Sequence, residues 1–239
     1  MAVAMNETTH TYPGTELDAM SVAVNYHRWI LDQFKPFLGK SVAEVGAGIG
    51  SVSKLLLEQP LYRLTSFEPA QNLLPHLEDN LRGESRVAIV PRRFSERDKR
   101  DRFDSVVYIN VLEHISDDQR EVADVYEALN PGGHLLVFVP ALQWLYSEFD
   151  RQLEHHRRYC SRSLARLVND PEYEIRILKY FDIAGVVPWF VLCKLFRLPP
   201  SNRSVVLYDK LVVPAMRFAE GIVSPPVGKN LLLVARRTG

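Results

Sequence analysis

Residues 41–50 read Ser-Val-Ala-Glu-Val-Gly-Ala-Gly-Ile-Gly: a short apolar stretch with one acid inside it, running into glycine at every second position. Glycine adopts left-handed backbone conformations without steric cost and puts no Cβ in the path of a neighbour. A strand that ends at Gly46, Gly48 and Gly50 is therefore built to turn sharply beneath something that approaches its backbone. The chain around this turn alternates. A helix is expected over Glu16–Phe34, where Tyr26, Trp29, Ile30 and Phe34 recur at helical spacing and Pro36 closes it. Strand 41–46 leads to helix 50–59, stopped by Pro60, and strand 63–67 leads to a helix begun by Pro69. Strands 87–91 and 104–109 follow. Ser116–Gln119 reads as a capping box for a helix carrying Val122, Val125, Tyr126 and Leu129, and Asn130–Gly133 turns into strand 134–139. Such alternation predicts an α/β fold with a doubly wound, mostly parallel sheet.

The last third differs: strands near 173–180 and 230–236 bracket a proline-containing apolar region, read as an insertion on the same domain. The 239 residues suit one domain. Its parts are a helical lid over 1–36, whose first 15 residues look loose, a core over 40–140, substrate-side segments over 141–228 and a final strand over 229–239. Lys+Arg and Asp+Glu both number 29, so no overall charge argues for nucleic acid. The local run 92–102 has six basic and three acidic residues, a net of 6 − 3 = +3, and its interleaved acids mark a solvated face. Two cysteines give no disulfide framework and suit a cytoplasmic protein. The polar N-terminus does not read as a signal peptide. The longest apolar stretch, 183–193, is broken by Pro188 and falls short of the roughly 20 residues a spanning helix needs, so no stable membrane insertion is expected.

Two ligand classes use a glycine turn that opens a helix. A dinucleotide site takes G-x-G-x-x-G. Here the position of its third glycine is Ser51, and the pattern is G-x-G-x-G. S-adenosylmethionine (SAM) has no pyrophosphate to cradle and carries an ammonium, for which Glu44 is the nearby acid. Glu68, 22 residues after Gly46, ends the second strand, where a carboxylate accepts hydrogen bonds from ribose hydroxyls.

The stretches VAEVGAGIG, FEPA, FDSVVYINVLEHI and LNPGGHLLVFVP together resemble the class I SAM-dependent methyltransferases, and within them the ubiquinone-biosynthesis-like group of small-molecule enzymes. The resemblance spans about residues 20–165. It implies a Rossmann-like seven-stranded sheet with the last strand antiparallel. It also implies cofactor contacts at Glu44, Gly46, Ala47, Gly48, Gly50, Glu68, Pro69 and Asn110–Val111–Leu112. Where that family has an acid near the adenine amine, this chain has Arg92, Arg93 and Phe94, so Arg93 and a stacking Phe94 become the candidates. Some relatives hold a metal through acids and a histidine around the fourth strand. Asn110 stands in place of the first acid, leaving Glu113 and His114, and no metal is expected. Structural roles, such as capping backbone groups, compete with catalysis for both.

The acceptor side is expected beyond the fifth strand, in 144–164. This segment resembles D-x-x-x-G-H-x-R-R-Y of a methyltransferase subgroup through Asp150, His155, Arg157, Arg158 and Tyr159, with Glu154 in the glycine position. His155, as an imidazole, suits removal of an acceptor proton; His114 is the second catalytic candidate. Trp144, Tyr146, Asp150, Arg158, Tyr159 and Trp189 are the acceptor-binding candidates. Salt-bridged packing of Asp150 and Glu154 against the arginines is the competing reading. Tyr26 and Trp29 are expected to cover the cofactor. The expected activity is methyl transfer from SAM to an oxygen or nitrogen of a small aromatic, glycosidic or lipid-linked metabolite, by a monomer or homodimer. The alternatives are a non-catalytic SAM-binding sensor or partner subunit and, disfavoured by Ser51, an NAD-dependent oxidoreductase.

Overall fold

The computed structural model describes residues 11–12, 22–169 and 173–239. Its centre is a seven-stranded sheet: β1 (Ser41–Val45), β2 (Arg63–Phe67), β3 (Val87–Val90), β4 (Phe103–Ile109), β5 (Leu129–Pro140), β6 (Tyr173–Phe181) and β7 (Asn230–Arg237). The spatial order is β3-β2-β1-β4-β5-β7-β6. The β1–β2, β2–β3, β1–β4 and β4–β5 pairs are parallel, whereas β7 runs antiparallel to both β5 and β6.

Period-two burial builds a core on each face. Val106 and Tyr108 of β4, Leu135 and Val137 of β5, and Leu231 and Leu233 of β7 point to one side. Val107, Leu136, Phe138, Leu232 and Val234 point to the other. Helix α1 (Val24–Phe34) covers this second face with Trp29, Ile30, Leu31 and Phe34. Of the helix expected from Glu16, residues 16–21 lie outside the described residues, and Val22 and Ala23 are not helical. Ala23 has no capping side chain. Asp209 caps α1 instead, its carboxylate accepting from the N–H groups of Asn25 (3.2 Å) and Tyr26 (2.8 Å).

Helices α2 (Ser51–Leu57), α3 (Leu74–Asn80) and α4 (Asp118–Ala128) follow β1, β2 and β4. Three local expectations are corrected. The helix after β2 starts at Leu74 rather than Pro69, and its first-turn proline is Pro75. Asp117, not Ser116, caps α4, accepting from the Arg120 N–H. Leu129 belongs to β5, and Asn130–Gly133 form a bulge between the Phe103–Leu129 and Ser105–His134 pairings rather than a turn before the strand. Beyond β5 lie α5 (Glu148–Gln152) and α6 (Ser161–Leu167). Between β6 and β7 stands α7 (Val186–Trp189), continued by π turns to Leu195, and then a rod made of α8 (Asn202–Leu207), a π turn (Tyr208–Val212) and α9 (Val213–Ile222). Pro214 opens α9; it has no N–H to give and crowds the carbonyl of the preceding turn, which accounts for the widened turn there.

Candidate functional site

The glycine turn has the geometry its sequence demands. Gly46, Gly48 and Gly50 have φ of 70°, 58° and 87°. The N–H groups of Gly46 and Ala47 both reach the Phe67 carbonyl, at 2.8 and 3.1 Å, and tie the turn to the end of β2. A Cβ on Gly46 would lie 2.5 Å from Val111 Cγ2, so the first glycine makes room for the loop after β4. Glu68 closes the arrangement from the side: one oxygen accepts the Gly48 N–H at 2.7 Å and the other the Ala70 N–H at 2.8 Å. Asn110 takes a left-handed conformation, φ 53°, as β4 ends, with its N–H on the Phe138 carbonyl at 2.8 Å.

This turn forms part of the wall of a cavity with about 1180 Å³ of atom-free space, its open mouth included. Gly46, Ala47, Gly48, Ile49, Asn110 and Tyr26 line it, and so do Glu113, His114, His155, Arg158, Trp189 and Lys229. The second set is held from behind. Asp150 is fully buried and uses both oxygens: Oδ2 accepts from Ser147 N–H and Oγ at 2.8 and 2.7 Å, and Oδ1 meets His155 Nδ1 at 3.1 Å and Arg158 Nε at 2.7 Å. Burial alone would raise Asp150, but His155 and Arg158 bring its carboxyl down to about 2. With Nδ1 on a carboxylate, His155 turns Nε2 towards Glu113, 4.0 Å from Oε1. That is beyond hydrogen-bond distance, and neither Glu113 oxygen has a hydrogen-bond partner among the described residues. Burial pushes Glu113 up to about 7, against the opposing pull of His155. The rings of His114 and His155 meet edge-on, 4.6 Å between centroids. Across the cavity Arg158 lies over the Trp189 ring at 4.6 Å, and Lys229 pairs with Asp182 at 3.1 Å. The indole N–H of Trp189 is likewise buried without a partner.

The sequence profile of a family described as "Methyltransferase domain" matches residues 21–177. This chain belongs to that methyltransferase family. No curated protein sequence matches it, whereas solved structures do. The N-methyltransferase NodS from Bradyrhizobium japonicum WM9, in complex with S-adenosyl-L-homocysteine, shares 13% identity over 90% of this chain and 86% of its own, with a TM-score of 0.59. A putative methyltransferase from Bacillus halodurans C-125 shares 16% over 87% and 98%, with a TM-score of 0.60. The [4+2]-cyclase SpnF shares 16% over 90% and 80%, with a TM-score of 0.62. At these identities the likeness is one of fold.

The methyltransferase brings some sequence candidates together and sets others aside. His114, His155, Arg158 and Trp189 share the cavity wall with the glycines, Asn110 and Tyr26. Tyr146 stands behind it, its hydroxyl donating to the His155 carbonyl at 2.6 Å, and Asp150 acts through His155 and Arg158. Several expectations are corrected. Trp29 does not cover a ligand: it is buried against Phe181, with ring centroids 3.9 Å apart. Phe94 does not stack on an adenine: it packs among Phe67, Phe103 and Tyr108 in the core. Arg93 is exposed beside it, away from the cavity. Glu44 lies under the turn rather than on the wall, with one oxygen accepting from Ser53 Oγ at 2.5 Å and Ser66 Oγ at 3.0 Å. Burial raises its carboxyl to about 7, against the pull of the two hydroxyls that donate to it. Gly50, Glu68, Pro69, Val111 and Leu112 are not on the cavity wall; Leu112 is core, Val111 packs against Gly46, and Glu68 lies behind the turn with its oxygens on the Gly48 and Ala70 N–H groups. Tyr159 gives its hydroxyl to Asp118 at 2.8 Å within the core, and Trp144 lies half-exposed against Phe190.

The competing salt-bridge reading holds for Asp150 with Arg158, whereas Arg157 pairs with Asp118 and not with Glu154. The expectation of no metal considered Glu113 and His114 by themselves. The fold adds His155, and these three residues each place one ligand atom within 4.8 Å of the others. Sequence reasoning missed Lys229 and His27 as cavity residues and undervalued Glu113. The LEH triplet was the only signal for Glu113; Lys229 sits just before β7, after the rod, where no local pattern links it to the glycine turn.

Proposed function

We propose that this protein binds SAM against the glycine turn and transfers its methyl group to an oxygen or nitrogen of a small acceptor held beside His155. The observation that carries the reading is the single cavity wall shared by the left-handed glycine turn and the Glu113–His155–Arg158 cluster. The residues present fit SAM: a turn free of side chains at two lining glycines, an uncovered backbone at Asn110 and, just behind the wall, a strand-end carboxylate at Glu68 that braces the Gly48 N–H. Ser51 where a dinucleotide site has glycine weighs against NAD. When bound, SAM supplies a methyl group already activated by its sulfonium, so alignment does most of the catalytic work.

This chain's residues supply the rest. Asp150 holds the His155 Nδ1 proton, which leaves Nε2 as the basic atom facing the cavity. His155 takes the proton from an acceptor hydroxyl or ammonium at Nε2, and the ionised Asp150 on its Nδ1 favours the imidazolium that results. The orphaned Glu113 carboxyl and Trp189 indole N–H call for a ligand that offers both hydrogen-bonding partners. A hydroxyl or amine at the edge of a ring, accepting from the Trp189 N–H in the indole plane and donating to Glu113, meets both, which suits an aromatic or glycosidic acceptor.

The experiment is methyl transfer from labelled SAM to a panel of phenols, glycosides and amines. Turnover should appear on at least one class and fall roughly 10²–10⁴-fold in kcat for His155→Ala, with SAM affinity unchanged. Tight SAM binding with no turnover on any acceptor would instead make the protein a sensor or partner subunit.

A further inference from the structure

The rod Asn202–Ile222 bares a row of large apolar side chains. Leu207, Leu211, Phe218 and Ile222 are 61%, 66%, 74% and 70% exposed. They are spaced four, seven and four residues apart, which keeps them on one side of a helix. Arg203, Lys210 and Arg217, seven residues apart and exposed, run beside them. Arg217 is paired with Asp32; among the described residues neither Arg203 nor Lys210 makes an ion pair. The rod's two acids are turned inward and used. Asp209 caps α1, and Glu220 accepts the N–H groups of Asp182 and Ile183 at 3.1 and 2.9 Å. Every charge the rod shows to solvent is therefore positive, on a chain with no net charge. Pro200 and Val205, at the start of the rod, line the cavity.

We propose that this face of the rod docks on the surface of an anionic lipid bilayer, with Leu207, Leu211, Phe218 and Ile222 among the headgroups and Arg203 and Lys210 on the lipid phosphates. An apolar row flanked by cations is what lies flat in an interface. The charge selects the occupant. A second copy of this chain would bring the cationic row against or alongside its own mate, whereas an anionic leaflet complements it. Among the described residues no helix is long and apolar enough to cross a membrane, so the contact is with one leaflet. Docking sets the mouth beside Pro200 and Val205 near the bilayer. The inference does not depend on the identity of the acceptor.

The test is co-sedimentation of the full chain with vesicles of phosphatidylcholine plus phosphatidylglycerol and with vesicles of phosphatidylcholine alone. Binding is expected to the first and not the second, and to weaken with salt. The Arg203→Ala/Lys210→Ala variant should bind roughly 25-fold more weakly, about fivefold for each cation. Leu211→Ser/Phe218→Ser should lose at least about tenfold. All four side chains are exposed, and an unchanged melting transition and SAM affinity verify that each variant is folded; if the apolar variant does not fold, the cationic pair decides alone. No binding to phosphatidylglycerol vesicles, equal binding to both kinds, or wild-type affinity in both variants would overturn the proposal. So would a dimer in solution that Leu211→Ser/Phe218→Ser dissociates while vesicle binding is absent.

Discussion

Glu113, in the cavity wall, and Glu154, in the loop before His155, each carry a local cost to stability. Glu113 stays protonated up to about pH 7, where a free glutamate ionises near 4.5. Below 4.5 both the folded and the unfolded chain hold the proton. Between 4.5 and 7 only the folded chain does, so this residue's contribution to stability falls as pH rises across that window, by about 3 kcal/mol. Glu113→Gln keeps the shape and removes the titration. Its melting temperature should match wild type near pH 4.5 and exceed it by several degrees at pH 8. Thermal melts across pH check this, and parallel curves for the two proteins would refute it. Glu154 stands where the motif this segment resembles has glycine, and its φ of 60° is a left-handed conformation that favours glycine. The loop thus keeps a glycine-like bend and holds a side chain in strain to do so. Glu154→Gly should gain up to about 1 kcal/mol in denaturant unfolding, against the usual loss for a new glycine.

At the level of elements, the glycine turn and the loop after β4 are one unit, because Gly46 and Val111 occupy the same space. Gly46→Ala is expected to cost roughly 2–3 kcal/mol from the clash and the left-handed φ together. Adding Val111→Ala should recover about half of it, since only the clash is relieved; an unfolding series of the single and double variants measures this. The turn and the strand alternation were legible in the sequence because they depend on local patterns: period-two burial, glycine spacing, proline stops; the reversed last strand was implied only by the family resemblance. What was not legible depends on neighbours distant in the chain. Trp29 and Phe94 look like ligand covers at their positions, and only the tertiary fold shows that Phe181 and Phe103 enclose them. Likewise the meeting of Glu113 with His155 follows from how the segment after β5 folds back over β4, with the His156 N–H on the Glu113 carbonyl at 2.9 Å.

For the whole molecule, fold and chemistry are separate conclusions. The sheet order and the family match make this chain a methyltransferase-domain protein, yet a [4+2]-cyclase has a similar fold, so the activity must be argued from the cavity. The central claim is that one cavity holds SAM at the glycine turn and the acceptor at His155. Calorimetric titration of S-adenosylhomocysteine tests it most directly, on wild type, Gly48→Val, Glu68→Gln and His155→Ala, with NAD titrated alongside. Wild type and His155→Ala should bind S-adenosylhomocysteine equally, Glu68→Gln at least tenfold more weakly, Gly48→Val not at all, and none should bind NAD. A folded wild type that takes NAD, or takes neither ligand, or a Gly48→Val variant that binds as wild type does, would contradict it.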